Sequence, residues 1–227
     1  NTLHEREYRS IEEILSAFRE NLRVFMQDYA DRVMGPDNAE RRRAFFFDSL
    51  FLSDSAKNCR YAYDGTAPYH LLNYFHVGAA TIGDSLSVLD RLVFHDKRFT
   101  YREFMSILDA NYEGYEDLRN EILGFPHFGN DDAEVDRYTV LSCEAFADAS
   151  DLLLLKPNFI SAPSIYTLER DNTMAPKIGA TPDGRHSGDP VSENQSPTYG
   201  ADRSGMTALL CSLSRLPFER LIAGGLN

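Results

Sequence analysis

GATPDGRHSGDPVSENQSP, which occupies residues 179–197, carries more structural information than any other stretch of this 227-residue chain. From residue 179 to residue 205 the sequence holds five glycines and three prolines. This density excludes a continuous helix, because proline lacks an N–H and glycine raises the entropic cost of ordering the chain. In the Pro182-Asp183-Gly184 run, proline presets φ and glycine permits a positive φ. We therefore predict an ordered turn that Asp183 and Arg185 fix by charge-assisted hydrogen bonds.

Two capping boxes predict where helices begin elsewhere in the chain. Ser10 is followed three residues later by Glu13, and Thr100 by Glu103, so that each pair can satisfy free N–H groups at a helix start. Apolar residues recur at intervals of three and four after Ser10, as in an amphipathic helix. That helix should end at Gly35-Pro36.

Three more helices are predicted from similar signals. Asp84 is a candidate N-cap for a helix carrying Leu86, Leu89 and Leu92. A second helix should begin at Asp132, where carboxylates favour the positive end of the helix dipole. A third should span Met206–Leu216 and end at Pro217.

Strands are expected in two short β-compatible runs, residues 158–161 and 164–168. Pro157 and Pro163 bound these runs. Together with the helices they indicate a helix-rich α/β fold.

A metal site is the alternative interpretation of the acidic residues near position 132. Asp131, Asp132 and Asp136 could offer oxygens at close spacing to a divalent cation. The EF-hand spacing is absent, and a helix N-cap explains the same residues. We therefore predict no metal site.

Composition narrows the class of protein. The formal net charge of −12 disfavours nonspecific binding to nucleic acid, because phosphates would be repelled. No apolar run approaches the roughly 18 residues of a membrane span. Three cysteines without CxxC spacing argue against a disulfide framework and a zinc ribbon.

Four separate blocks of the sequence resemble the glycyl radical enzymes related to pyruvate formate-lyase. They occur in the family's order, and the similarity runs from about residue 84 to residue 227. The blocks are Gly83-Asp84-Ser85-Leu86 with Val93-Phe94, Asn111–Glu116, Phe128–Asp132 with Val135-Asp136, and Thr181–Ala208.

This resemblance implies that residues 1–227 form a single region of the family's ten-stranded α/β barrel. It also implies that the glycyl radical domain is absent from these residues. Family members have a catalytic cysteine in a Gly-Cys-Val-Glu or similar segment and a radical glycine in an Arg-Val-x-Gly-Tyr segment. Neither segment occurs here, and Cys59, Cys143 and Cys211 lack the catalytic context. We therefore expect a portion of an enzyme that is not competent alone.

The resemblance further implies the partners of the parent enzyme. The parent would carry a glycyl radical installed by a radical SAM activating enzyme and would cleave a C–C, C–O or C–N bond of a small polar substrate. It would be cytoplasmic, serve anaerobic metabolism and form a homodimer. Asn194-Gln195-Ser196-Pro197 departs from pyruvate formate-lyase and favours the lyase and dehydratase branch over formate acyltransferases.

Candidate substrate contacts lie within the loop, at Ser192, Glu193, Asn194 and Ser196. Their short polar side chains would supply donors and acceptors in a site that excludes solvent and dioxygen. The alternative is that they bond the loop to itself, as Asn and Ser commonly do in turns. His186 is a further polar neighbour that the sequence suggests testing.

Two functional hypotheses follow from these observations. The chain is either a portion of a glycyl radical enzyme or a noncatalytic relative that binds a small molecule or partner chain. The first predicts exposed apolar surface, notably at residues 45–47 and 152–155, where the rest of the barrel belongs. The second predicts a closed monomer.

Overall fold

The computed structural model describes residues 6–35, 46–60, 69–166, 175–221 and 223–224. In these ranges, helices pack on one face of a small parallel sheet. The helices are α1 (Ile11–Met34), α2 (Phe46–Phe51), α3 (Ser53–Asn58), α4 (Ala79–Leu89), α5 (Tyr101–Asp109), α6 (Glu116–Leu123), α7 (Ala133–Asp151) and α8 (Met206–Leu213); the strands are β1 (His70–Phe75), β2 (Phe159–Ile165) and β3 (Ala223–Gly224). A π-helical turn, Asp90–His95, extends α4.

The sheet has the order β1-β2-β3, and both pairs of strands are parallel. β2 is one strand, so the prediction of two short strands separated by Pro163 was wrong. Ser164 O accepts from the backbone N of His76, the residue directly after β1, which places the proline nitrogen on the opposite edge of β2. There β3 pairs only with Ser164 and Ile165, and no N–H is needed at Pro163. The end of the second predicted run, at residues 167–168, lies outside the described residues.

Both predicted capping boxes mark helix starts. The Ser10 side chain accepts from Glu13 N, and α1 ends at Met34, directly before Gly35. At α5 the box is reciprocal, since Thr100 accepts from Glu103 N and Glu103 accepts from Thr100 N. These helix ends follow from local sequence alone.

Asp84 does not cap α4, contrary to the prediction. The helix begins five residues earlier, at Ala79, after Gly78 with a φ of 78°. Asp84 is therefore in the helix interior and only 1% exposed. Its place in a buried polar cluster is described below.

The other two predicted helices are present with small differences. Asp132 caps α7 by accepting from Glu134 N. α8 ends at Leu213, three residues before the predicted end, and Leu210 on it is exposed. Within the residues that the structure describes, no helix is long and apolar enough to cross a membrane.

Two apolar clusters form the core. One joins the start of α1 to α4, α5 and α6, and the other joins the end of α1, α7, α8 and the sheet. α4 and α7 approach closely at Gly83, where an added Cβ would lie 2.0 Å from Thr139 Oγ1 and 2.7 Å from Thr139 Cα. Only glycine fits this contact, which connects the two clusters.

Candidate functional site

The Pro-Asp-Gly run forms the predicted turn. Gly184 has a φ of 91° and donates to Thr181 O, while Thr181 N donates to Arg185 O. Arg185 is buried, and its guanidinium donates to Thr181 Oγ1 and to the carbonyls of Ile178, Gly179 and Asp189. Asp183 accepts from Thr181 Oγ1. The prediction that Asp183 and Arg185 fix the turn by charge-assisted hydrogen bonds is confirmed.

The Asn111–Glu116 block holds this turn from one side. Tyr112 Oη donates to Thr181 O at 2.8 Å, and Asn111 Oδ1 accepts from Ser187 N at 2.7 Å. Both residues have left-handed φ values, 52° for Asn111 and 63° for Tyr112. Such values are uncommon for non-glycine residues. The hydrogen bonds that the two residues form to the loop offset the cost of this backbone conformation.

A buried polar cluster lies beneath the turn. Asp84 accepts from Phe128 N at 2.8 Å and contacts His127 Nδ1 at 3.2 Å. Ser85, the next residue of α4, donates to Asp183 Oδ1 at 3.4 Å. The cluster joins α4, the segment before α7 and the Gly/Pro-rich loop, and sequence reasoning missed it because Asp84 was taken for a helix cap.

Burial changes the protonation of this cluster. Desolvation raises the pKa of Asp183 to about 6, and the charge of Asp84 adds to the effect. For His127, burial disfavours the charged ring, but the hydrogen bond and charge of Asp84 outweigh it and raise the pKa. Asp183 thus titrates closer to neutral pH than an ordinary carboxyl.

The loop crosses the first turn of α4, which follows the carboxyl end of β1. Thr81 N donates to Ser192 Oγ at 3.1 Å, and Ser192 N donates to Thr81 Oγ1 at 2.9 Å. Gly78 has no side chain with which to cap α4. Ser192 therefore supplies the N-cap from 111 residues away along the chain. Thr81 is a positioning residue that no local sequence signal distinguished.

The four predicted substrate-contact residues are neighbours at this crossing. Ser192 and Asn194 are buried, and Asn194 adopts a left-handed φ of 51°. Glu193 and Ser196 are half-buried, and Ser196 N donates to Glu193 O at 2.9 Å. Both of the hydrogen bonds given above for Ser192, one from its side chain and one from its backbone, are to Thr81. Substrate contact by the set stays a prediction. His186, also suggested for testing, is half-buried and lies edge-on to Tyr112.

The carboxylates near α7 bind an arginine. Arg215 donates to Asp136 Oδ2 at 2.7 Å and to Asp131 Oδ1 at 2.6 Å. Asp136 also accepts from Gly129 N. This geometry gives the acidic residues a structural explanation, and the described residues contain no group of His, Cys, Asp or Glu that could hold a metal ion.

The three cysteines occupy unlike environments. Cys143 is fully buried on α7, with its Sγ 3.9 Å from His76 Nδ1, and burial raises its pKa to about 12. His76 is stacked on Phe146, and burial lowers its pKa to about 4. Cys59 is exposed and Cys211 is partly exposed. None of the three lies in the loop or the polar cluster.

One face of the sheet, here called the open face, is partly exposed to solvent. Leu71 and Phe75 on β1 are 59% and 47% exposed, and Ile160, the register partner of Leu71, is 41% exposed. Their neighbours Leu72 and Tyr74 point to the helices and are buried. This face thus presents three apolar side chains to solvent, while Ala162 and Ser164 of β2, which share the face, are buried.

Comparison with known proteins identifies a family model and several relatives that match this chain. A family model described as pyruvate formate lyase-like matches residues 1–169. The isethionate sulfite-lyase of Bilophila wadsworthia is 34% identical over an alignment of 148 positions, which covers 61% of this chain and 17% of that enzyme. The trans-4-hydroxy-L-proline dehydratase of Clostridioides difficile is 29% identical over an alignment of 234 positions, gaps included, which covers 97% of this chain and 28% of that enzyme.

A solved structure shares the fold. The glycerol-bound form of the B12-independent glycerol dehydratase from Clostridium butyricum superimposes with a TM-score of 0.84 at 27% identity, over 96% of this chain and 28% of that chain. The chain therefore spans less than a third of the length of the relatives it matches. Similarity extends beyond the predicted range of residues 84–227, since the family match begins at residue 1.

Proposed function

Because this chain belongs to the pyruvate formate lyase-like family of glycyl radical enzymes, we propose that it forms one wall of the barrel that encloses the substrate of a lyase or dehydratase. The resemblance and the helix-rich α/β fold expected from the sequence are confirmed, since the structural neighbours are barrels of this enzyme family. That residues 1–227 are a single region of that barrel stays a prediction.

The observation that carries the proposal is the open face of the parallel sheet. Parallel sheets are almost always covered on both faces. Here helices cover the side of Leu72 and Tyr74, while Leu71, Phe75 and Ile160 are exposed on the other. In a barrel the uncovered side would face the interior, where the remaining wall and the reactive loops would bury it.

The cysteines of this chain do not fit the catalytic position in the proposed enzyme. Cys143 lies between α7 and the helix-covered side of the sheet, away from the open face. Cys59 and Cys211 lack the family's Gly-Cys-Val-Glu context. We infer that the catalytic cysteine and the radical glycine lie on other segments, and that the chain alone is inactive.

The chain's own contribution would be enclosure and positioning. Ser192 and Thr81 hold the loop at the carboxyl end of β1, the end at which α/β proteins place their sites. Glu193, Asn194 and Ser196 follow at once and are proposed to contact a small polar substrate. The buried cluster beneath the turn would keep the loop stiff while water is excluded.

Substrate class and activation follow from the family. Glycerol and trans-4-hydroxy-L-proline appear in the names of two relatives, and both are small hydroxylated compounds. We propose a substrate of that kind, cleavage in the lyase or dehydratase manner, and activation by a radical SAM enzyme that installs the glycyl radical. A cytoplasmic setting and a homodimer remain predictions.

Exposed apolar residues elsewhere in the chain favour this proposal over the hypothesis of a noncatalytic relative. Phe47 is 73% exposed, and Leu152 and Leu154 are 56% and 79% exposed, as the enzyme hypothesis predicts. Leu153 and Leu155, in the same predicted run, are instead half-buried against the core. Phe45 lies outside the described residues. A closed monomer would bury these side chains.

The test combines mass spectrometry of the native protein with electron paramagnetic resonance spectroscopy of the 227-residue chain. The protein is captured from its native source under anoxic conditions with an antibody against this chain, and its intact mass and peptides are determined. A mass well above 25.7 kDa, with peptides carrying the two reactive segments, is expected. The 227-residue chain treated with activating enzyme and S-adenosylmethionine should show no glycyl radical in its electron paramagnetic resonance spectrum. A native mass of 25.7 kDa without associated chains, or a radical on this chain alone, would refute the proposal.

A further inference from the structure

A cleft of about 370 Å³ lies beside the Pro-Asp-Gly turn, and the proposed function does not use it. Its walls come from α6, from the segment before α7 and from the loop. Three arginines line it, namely Arg119, Arg185 and Arg203.

These arginines differ from most of the others in the described part of the chain. There, eight arginines pair with a carboxylate within 4 Å, in keeping with the acidic composition. Among the same described residues, Arg119, Arg185 and Arg203 form no such ion pair. In a chain of net charge −12, three arginines without a carboxylate partner therefore share one cleft.

The guanidinium nitrogens of Arg185 all donate to the loop, but those of the other two arginines do not. Arg119 Nε donates to Gly184 O at 2.7 Å, and Arg203 Nε to Gly200 O at 3.4 Å. Their terminal nitrogens have no hydrogen bond to any described residue. Each guanidinium is thus oriented by one bond while its paired donors remain available for a ligand.

The lining of the cleft also includes an uncharged hydrogen-bond donor, Thr198. The hydroxyl of Thr198 is buried and has no partner among the described residues. Asn130 fixes the adjoining wall, because its side chain donates to Ala201 O and accepts from Arg203 N and Ser204 N. Gly200, with a φ of 74°, has no other atom within 4 Å of the position that a Cβ would take, so the cleft is open there.

We propose that this cleft binds a small oxyanion, held by the guanidinium groups of Arg119 and Arg203 and by the hydroxyl of Thr198. Two donor-rich cations and a hydroxyl suit a planar carboxylate or a tetrahedral phosphate group. Asp183 and Asp189 also line the cleft, so three arginines against two carboxylates leave one excess positive charge when all five are ionised. A singly charged anion matches that excess.

The experiment is calorimetric titration of the protein with inorganic phosphate and, in parallel, with acetate, at constant ionic strength and pH 7.5. Saturable binding of at least one anion with a dissociation constant below about 10 mM is expected. Arg119→Gln and Arg203→Gln should each weaken binding roughly fivefold or more, since each removes a charge-assisted hydrogen bond. Arg203 is exposed, so its variant tests the site without endangering the fold.

Two further variants separate binding from structure. Thr198→Val should weaken binding while leaving the melting temperature unchanged or higher, because it removes a buried hydroxyl without a partner. Arg102→Gln removes a charge on α5 that is exposed, as Arg203 is, but lies outside the cleft, and it should leave binding unchanged. Tighter binding of phosphate would identify phosphate-bearing ligands, and tighter binding of acetate would identify carboxylates. Failure of both anions to bind, or an equal loss in the Arg102 variant, overturns the proposal.

Discussion

At the scale of single residues, Ser192 shows how a loop side chain can determine where a distant helix begins. Gly78 provides no cap, yet α4 starts directly after it because Ser192 Oγ accepts from Thr81 N. We expect Ser192→Ala to lower the free energy of unfolding by about 1 kcal/mol, the usual value of an N-cap. Urea unfolding followed by circular dichroism would measure the change.

The matched control for that prediction is Ser204→Ala. Ser204 is exposed, and its side chain forms no hydrogen bond to a described residue. Its replacement should change the free energy of unfolding by less than about 0.5 kcal/mol. An equal effect of both variants would mean that Ser192 does not act as a cap.

Asp183 gives stability a specific pH dependence. Burial raises its pKa to about 6, above the value of an unfolded Asp, so the folded state binds its proton more tightly. At low pH this carboxyl is protonated and therefore does not lower the free energy of unfolding. As pH rises to about 6 it loses its proton and progressively destabilises the folded state. In Asp183→Asn the cost is absent. The stability of the variant relative to the natural protein should rise by about 2 to 3 kcal/mol between pH 4 and pH 7.

Urea unfolding of both proteins at half-unit pH intervals would test this. Titrating groups away from the cluster cancel in the difference between the two proteins. His127 does not cancel, because the charge of Asp183 contributes to its raised pKa. A difference that does not change with pH would contradict the assigned cause.

At the scale of elements, the packing of α4 on α7 depends on Gly83. A Cβ there would overlap the hydroxyl, the Cα and the backbone N of Thr139. Gly83→Ala should therefore destabilise the protein by about 3 kcal/mol or more, beyond the small gain in helix propensity. Thermal unfolding would show the loss.

Two variants make the Gly83 prediction specific. Adding Thr139→Ala should not rescue Gly83→Ala, because the Cα and N of residue 139 are themselves 2.7 Å from the new Cβ. Gly179→Ala should be neutral or slightly stabilising, since no atom lies within 4 Å of the corresponding position. Full rescue by the second change would show that only the hydroxyl opposes the helix contact.

The element scale also shows what the sequence could predict. Caps at Ser10, Thr100 and Asp132 were predictable because all partners lie within a few residues. The start of α4 and the continuity of β2 were not, because the first depends on Ser192 and the second on which edge of the strand faces β3. The turn at Gly184 was predicted, but the cluster of Asp84, His127 and Asp183 beneath it was not, since only tertiary contacts assemble it.

At the scale of the whole molecule, the four sequence blocks that carry the family resemblance converge on one place. The blocks beginning at Gly83 and Asn111 bind the loop through Ser85 and Tyr112. The block beginning at Phe128 meets it at Gly129, where a Cβ would lie 2.4 Å from Pro197 Cγ. The blocks that carry the resemblance therefore contribute to one loop and to the segments that support it, although they are far apart in sequence.

The open sheet face leads to a prediction about assembly. Leu71 and Leu72 are chemically identical neighbours on β1, 59% and 3% exposed respectively. In the 227-residue chain, Leu72→Ala should cost about 2 to 5 kcal/mol, whereas Leu71→Ala should cost less than about 0.5 kcal/mol. In the longer native protein that we propose, Leu71 would be buried against the barrel interior, and its replacement should then cost about as much as that of Leu72. Chemical denaturation of the four variants measures the contrast. If Leu71→Ala is already costly in the chain alone, the face is covered by the chain itself; if it stays neutral in the native protein, this sheet does not line a closed barrel.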